Sequence, residues 1–451
     1  METGKRARTG IILFVLMLIH LAFCFQAGAA DDGLSALEKR ITDAPSLDDL
    51  LSYAYQSNPS VKAAKASWKS AIEKQRVETA YPDPQMGTIY WPLDPSRNWS
   101  DKRIDVSLTQ TIPYPGKLAA AGRVAEADSQ IARLELDRTV RDEAVKIRGS
   151  YYELWYIRQA MLMAEHNRDV LDHLRQVAEN AYAGDRVALY DVLKTQSQSG
   201  QVQYDWLLLQ ELEKTEITRL NSLLNRDPES QIGNLGDILQ PPLMVDLNDI
   251  YRLAEVHREE IREAAADKEK SRAEADAAVY QNRPEFMLGF TYEYNAPDTP
   301  GNPANDMYGF QFGMTLPIWQ DKKSGRIEAA KAGMDKAAAM LVARINETRA
   351  SIRETFFRLK NAERLVALYR DQLLPQAVRA METAEVWNRE GQGSFTDYVE
   401  TEAVWYNFQL ALARARADYG KYLALLEGLA GSCLTQRQAS SEEPQHPEAT
   451  P

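Results

Sequence analysis

The sequence is short of several things a globular enzyme or a polytopic membrane protein would have. It holds two cysteines, Cys24 and Cys433, and five histidines. Cys24 lies in a leader, so one thiol remains, and one thiol neither closes an internal disulfide nor builds a thiolate metal cage. Beyond the N-terminus no stretch approaches the about 20 uncharged apolar residues that a spanning helix needs. Positive charge is also in deficit, with 53 Lys and Arg against 65 Asp and Glu and a net charge of -12, which disfavours nucleic acid as a partner. What the N-terminus does have is Lys5, Arg6 and Arg8, an apolar run from Ile11 to Phe25, and then Ala27-Gly28-Ala29-Ala30. That order reads as a secretory signal peptide over residues 1–30. Its removal, with one acid and three bases, takes the charge from -12 to -14. Cys24 follows Leu21-Ala22-Phe23, a faint likeness to a lipoprotein box in which bulky Phe23 sits where a small residue is wanted. An exported chain without spanning helices is either soluble in the periplasm or enters the outer membrane as a β-barrel.

The chain repeats itself at a separation of about 200 residues, a period that bears on the whole fold. Leu47-Asp48-Asp49-Leu50 opens one copy and Leu247-Asn248-Asp249-Ile250 the other. Each opening leads a helical segment of about 35 residues, one ending at Tyr81-Pro82-Asp83-Pro84 and the other at Asn282-Arg283-Pro284, since proline cannot donate to a helical ladder. Two alternating stretches around a polar loop follow in each copy. In the second, Phe286, Leu288, Phe290, Tyr292 and Tyr294 share one strand face, and Tyr308, Phe310, Phe312, Met314 and Leu316 share one face of the partner, alternating with Gly309, Gln311, Gly313 and Thr315. In the first copy Ile104, Val106 and Leu108 alternate with Asp105, Ser107 and Thr109, after Ile89, Tyr90 and Trp91.

A long helix follows each strand pair, from Ala119 to about Tyr182 and from about Ser324 to Asn388. Val140, Ala144, Ile147, Tyr151, Leu154, Ile157 and Met161 form a helical stripe on the first, and Ile327, Ala330, Met334, Ala337, Leu341, Ile345, Thr348 and Ile352 on the second. Pro375 is expected to kink the second without ending it. Some 64 residues make about 95 Å of helix, more than a globular domain requires. Glycine turns at Gly184 and at Gly391 with Gly393 precede helices that return to about Leu224 and Leu429. The expected organisation is therefore a leader (1–30), an N-terminal extension (31–45), a first repeat (46–224, hairpin 85–112), a connector rich in Pro, Gly, Asn and Asp (225–245), a second repeat (246–430, hairpin 285–316) and a disordered tail (431–451). The fold class is mainly α with a β part.

Four strands cannot close a barrel, so if the apolar faces meet lipid, several copies must pool them. A dimer gives eight and a trimer twelve. The duplicated plan resembles the TolC family, as do the corner Gln110-Thr111-Ile112-Pro113-Tyr114-Pro115-Gly116-Lys117-Leu118, the corner Thr315-Leu316-Pro317-Ile318-Trp319, the segment Leu373-Leu374-Pro375-Gln376-Ala377 and the turn Gly391 to Val399. The resemblance runs from about Leu47 to Leu429. It implies a homotrimer, with one twelve-stranded transmembrane barrel in the outer membrane on a long α-helical barrel crossing the periplasm. It also implies a periplasmic adaptor and an inner-membrane pump as partners. The Pro-Tyr-Pro-Gly-Lys corner resembles the heavy-metal efflux branch.

The resemblance also points to site residues. Asp397 and Glu400, at i and i+3 on a returning helix, match carboxylates at the periplasmic entrance, and Asp191 is the counterpart of Asp397 in the first copy; Lys194 stands where a counterpart of Glu400 would. The tips with Gly184, Leu189, Tyr190, Gly391 and Phe395 are where an adaptor would dock, and Phe286, Leu288, Phe290, Tyr308, Phe310 and Phe312 would face outer-membrane lipid. No catalytic constellation or cofactor motif is legible, so an enzyme is not expected. His166 and His173 lack a third ligand for zinc, Met161 and Met163 suit packing, and Gly116-Lys117 lacks the rest of a phosphate loop. The expected function is a passive exit duct for small solutes or metal cations in a tripartite efflux system. Its rivals are a secretion duct for unfolded polypeptide with the same fold and a soluble periplasmic coiled-coil scaffold.

Overall fold

The computed structural model describes residues 33–91, 103–184, 187–295, 306–390 and 395–435. The leader with Cys24, the turn glycine Gly391 and the tail beyond residue 435 lie outside them. The chain divides into two compact units, and each draws on both repeats: one comprises Ala63–Arg138 with Glu259–Glu347, the other the chain up to Lys62, Thr139–Arg258 and the chain from Thr348.

The first of these units carries all the strands among the described residues, β1 (Gln85–Trp91), β2 (Arg103–Ile112), β3 (Phe286–Asn295) and β4 (Met307–Met314). Each repeat's hairpin is antiparallel, and β2 pairs with β3, so the two hairpins merge into one four-stranded sheet of order β1-β2-β3-β4. At the helical end Pro113 and Pro317 stop the strands. The last rung there is made by the Thr315 N–H donating to the Glu285 carbonyl (2.9 Å) and the Glu285 N–H donating to Thr315 Oγ1 (2.7 Å). Gly116 turns the chain from β2 into helix at φ +90°, and a Cβ there would lie 2.6 Å from the Tyr280 ring, so both conformation and close approach require glycine. Lys117 then pairs with Glu285 of the other repeat. The helical part of this unit is tied across repeats by Lys270 to Asp128 (2.8 Å) and Arg138 to Glu263 (3.0 Å).

The long helix α4 (Lys117–Ala183, 67 residues) begins in that unit and continues into the other. At 1.5 Å per residue it extends about 100 Å. The second unit also holds α1 (residues 33–43), α2 (Leu47–Ser57), α5 (Leu189–Leu224), α6 (Leu247–His257), α9 (Leu374–Arg389) and α10 (Phe395–Ala430). The two repeat openings are helix caps. The Asp49 N–H donates to Ser46 Oγ (3.1 Å) with the reciprocal bond from the Ser46 N–H to Asp49 Oδ2, and the Asp249 N–H donates to Asp246 Oδ1 (2.7 Å).

The single helix of about 35 residues expected at the start of each repeat is two helices in both. In the first repeat α2 ends and α3 (Pro59–Thr79) begins at Pro59, with the Asn58 carboxamide oxygen accepting the Ser60 N–H (2.7 Å). In the second, Arg258 is extended between α6 and α7 (Glu259–Gln281), where a Cβ on Gly431 would meet the His257 backbone at 2.6 Å. Tertiary packing breaks that helix, since no proline stands there. Just before Pro375, where a kink is expected, a π-helical turn, Tyr369–Leu373, lies between α8 (Gln320–Leu368) and α9. The Leu374 N–H reaches back five residues to the Tyr369 carbonyl, and the helix runs on past the proline.

The core of this unit forms around Leu50, Ile147, Leu154, Trp155, Leu220 and Leu224, with a neighbouring group around Ile250, Ile352, Leu359, Leu423 and Leu426. The connector is extended and tightly held. Arg158 donates to Glu213 Oε1 (2.7 Å) and to the carbonyls of Gly233 and Ile232, and the Gly233 N–H donates to the Ile41 carbonyl (2.9 Å). The N-terminal extension is thereby part of the core, with Ile41 fully buried. Past α10, Leu434 is also buried and its N–H donates to Glu427 Oε1 (3.0 Å), so residues 431–435 are packed where a disordered tail was expected.

Candidate channel surfaces

Two sets of residues singled out by sequence fall in different units. The first is the strand face. The register pairs Phe286 with Met314, Leu288 with Phe312, Phe290 with Phe310 and Tyr292 with Tyr308, and it continues across β2 through Leu108 and Val106 to Met86 and Thr88 on β1. Strand side chains alternate between faces, so all six residues expected to face lipid share one side of one sheet. Their rings interlock, with centroids 6.4 Å apart for Phe286–Phe312, 5.6 Å for Phe290–Phe310 and 6.2 Å for Phe290–Tyr308. Phe310 is 89% exposed, so none of the described residues covers this face there. The opposite face carries Ser107, Thr109, Gly289, Thr291, Gly309 and Gln311, with the Trp91 indole donating to Asp105 (3.1 Å). The outer edges of β1 and β4 have no partner strand within the sheet.

The second set is at the tips of the helical hairpins. Gly184 ends α4, its N–H donating to the Ala181 carbonyl (3.2 Å), and α5 starts at Leu189 with Asp191 accepting the Ala188 N–H (3.2 Å). On α10, Phe395, Val399, Glu402 and Tyr406 recur at spacings of four and three and are all buried, against Leu171, Leu174 and Val192. Phe395 is therefore a core side chain of the tip, buried where an exposed docking residue is expected, a correction that follows from its place on the inward stripe. Leu189, Tyr190 and Gly184 are exposed.

Asp397 and Glu400 project from the outer side of α10 and are exposed. The two tips are latched to each other by polar contacts between the repeats. Thr396 Oγ1 donates to Asp191 and Lys194 forms an ion pair with Glu400. That hydrogen bond to Glu400 holds the Lys194 ammonium above its ordinary value. Lys194, the residue that breaks the symmetry between the repeats, also helps to bridge them.

Sequence reasoning passed over Glu402. It is 2% exposed within the apolar stripe, with Oε1 lacking a hydrogen-bond partner. Burial pushes its carboxyl up, against the smaller opposing influence of His166. The stripe 395/399/402/406 was a legible signal, because it places a carboxyl on the face of α10 that carries the apolar residues. His166 packs edge-on to Trp405 (6.3 Å between centroids). Among the described residues no group of three or more His, Cys, Asp or Glu is arranged to hold a metal, and no helix is long and apolar enough to cross a membrane.

Residues 250–432 match the outer membrane efflux protein family. No curated protein matches the chain. Among solved structures, the outer membrane protein VceC of Vibrio cholerae shares the fold at 18% identity and a TM-score of 0.71, over 86% of this chain and 96% of that one. The Campylobacter jejuni CmeC outer membrane channel matches at 14% identity and 0.71, over 85% of each chain. CusC, described for its folding and transmembrane channel formation, matches at 12% identity and 0.74, over 86% of this chain and 92% of its own. By sequence over residues 250–432 the chain is similar to the outer membrane efflux protein family, and by fold over both repeats it is similar to solved outer membrane channels.

Proposed function

We propose that the protein is the outer-membrane channel subunit of a tripartite efflux assembly, a passive exit duct that joins the periplasm to the outside. The observation that carries this is the sheet: four strands with one mainly apolar face, one mainly polar face that also holds Ile89, Trp91 and Met287, and two outer edges unpaired among the described residues. A lone sheet of this kind would expose both edges and an aromatic face to water, a combination that invites association. Three copies joined β1 to β4 make twelve strands with no edge, apolar outside and polar within. The helical tips carry exposed Leu189 and Tyr190, which suit a periplasmic adaptor that links the channel to an inner-membrane pump.

At the tips, three carboxylates (Asp191, Asp397, Glu400) against one ammonium (Lys194) leave two net negative charges per chain. Around a threefold axis they favour cations at the entrance, more so at low salt. Small solutes or metal cations are the proposed cargo, in keeping with the Pro-Tyr-Pro-Gly-Lys corner.

The lipid-facing assignment is tested by moving one cation between faces. Phe310→Lys and Phe312→Lys each place an ammonium on the outer face, at a cost of about 2–4 kcal/mol near the bilayer midplane. They should impair outer-membrane insertion, measured as detergent-extractable, heat-modifiable protein. Gln311→Lys, one residue away on the polar face, should insert like the parent. Equal insertion of all three would overturn the assignment.

A further inference from the structure

The apolar face of β4 does not stop with the strand. Alternation carries it from Met314 to Leu316, and Leu316, Ile318 and Trp319 are 67%, 64% and 72% exposed at the helical end of the sheet. Tyr81, at the same end beside β1, is exposed as well. Lys322 and Lys323 follow within one turn of Trp319 in the first turn of α8, and neither ammonium is paired to a carboxylate among the described residues. Positive charge at a helix N-terminus runs against the macrodipole, so helix stability does not explain the two lysines. An exposed tryptophan flanked on one side by a lipid-facing strand and on the other by paired lysines has the composition of a membrane interface: the ring lies at headgroup depth and the stems reach to phosphate.

We propose that Trp319, Lys322 and Lys323 form a collar that binds anionic phospholipid headgroups in the leaflet on the helical side of the sheet. The inference rests on the strand face being lipid-facing. It adds a selectivity for lipid charge that an apolar band does not supply. Charge complementarity names the occupant, since two unpaired ammonium groups select an anionic headgroup over a zwitterionic one. Continuity with the face of β4 places them at the edge of that band. Each lysine near such a surface contributes a preference of about fivefold.

The test uses the full chain reconstituted in phosphatidylcholine vesicles with a trace of spin-labelled phosphatidylglycerol or spin-labelled phosphatidylcholine. The protein-immobilised fraction of each probe is measured. The parent should immobilise phosphatidylglycerol in preference, and Lys322→Gln with Lys323→Gln should bring the two probes level without changing the amount of immobilised phosphatidylcholine. A double variant that keeps the parent's preference, or a parent with none, overturns the collar. Loss of the preference on adding inorganic phosphate, but not chloride at equal ionic strength, also overturns it, in favour of a free-phosphate site. If Trp319→Ala dissociates the oligomer while leaving lipid preference intact, the ring is a subunit contact and the collar fails. The absence of any immobilised lipid would instead overturn the lipid-facing reading of the strands, so the two failures are told apart.

Discussion

The two long helices come from equivalent places in the two repeats, yet they satisfy themselves differently. Within its chain α4 is the more covered of the two: Ile147, Leu154, Trp155, Ala160 and Ala164 are all fully or nearly buried, while Leu162, Val177 and Tyr182 are exposed. On α8 and α9, Met340, Val342, Phe357, Val386 and Trp387 remain exposed. The same contrast divides the strands, with β2 and β3 paired on both sides and β1 and β4 on one. Duplication therefore made two copies of a plan with unequal tasks. One copy's long helix anchors the folded chain. The other copy keeps apolar surface on α8, on α9 and on β4 that a single chain does not cover, as expected of a subunit completed by its neighbours.

The largest effect that sharpens this contrast is expected from the pair Trp155→Ala and Phe357→Ala. Trp155 is 2% exposed with the Arg416 guanidinium 5.0 Å over its ring, and truncating it should cost about 3–5 kcal/mol. Phe357, exposed in the single chain, should cost less than about 0.5 kcal/mol in the chain's own unfolding. It should instead lower the temperature at which the oligomer dissociates on unheated gels. Similar unfolding costs for both would erase the distinction between the helices.

A smaller effect concerns the tip, where Glu402 lies buried on α10. Its folded carboxyl titrates above the ordinary 4.5, so the folded state holds a proton that the unfolded state releases first. Stability from this group is full below about 4.5 and is lost as pH rises through the folded value. Glu402→Gln should remove that slope and stabilise the helical unit by about 1–2 kcal/mol at pH 7, read from melting curves at several pH values. A parent whose tip becomes more stable between pH 4 and 7, with the variant parallel to it, would contradict the buried placement.

The smallest effect tests how the asymmetric pair at the proposed entrance shares its charge. Asp397→Asn with Glu400→Gln should lower cation selectivity in planar bilayers, whereas Lys194→Gln, which frees Glu400, should raise it. Both differences should shrink as salt rises. Unchanged selectivity in all variants at low salt would place the constriction elsewhere.

Much of the fold was legible because it rests on short-range patterns. The alternation around Phe310 predicts a face, and the register confirms that face across all four strands. The repeat openings are caps that Ser46 and Asp246 announce, and Pro375 marks the π turn. What escaped depended on contacts distant in sequence. The break at Arg258 has no proline to mark it, and the glycine packed against it, Gly431, is more than a hundred residues away. Phe395 and Glu402 lie on the same inward stripe, but which side of α10 is inward depends on α4 and α5. Lys194 read as a lapse in symmetry, and only the folded chain brings it against Glu400.

The most direct test of the proposal that the sheet is one third of a barrel is a disulfide between its two outer edges. In a Cys433→Ser background, which removes the one free thiol among the described residues, Thr88→Cys on β1 is combined in turn with Tyr308→Cys, Phe310→Cys and Phe312→Cys on β4, and membranes are oxidised before denaturing electrophoresis. At least one pairing should give covalent dimers and trimers, with a ladder that stops at three chains and collapses on reduction. Monomer alone at every pairing, or a ladder that climbs past three, would contradict the closed twelve-stranded barrel.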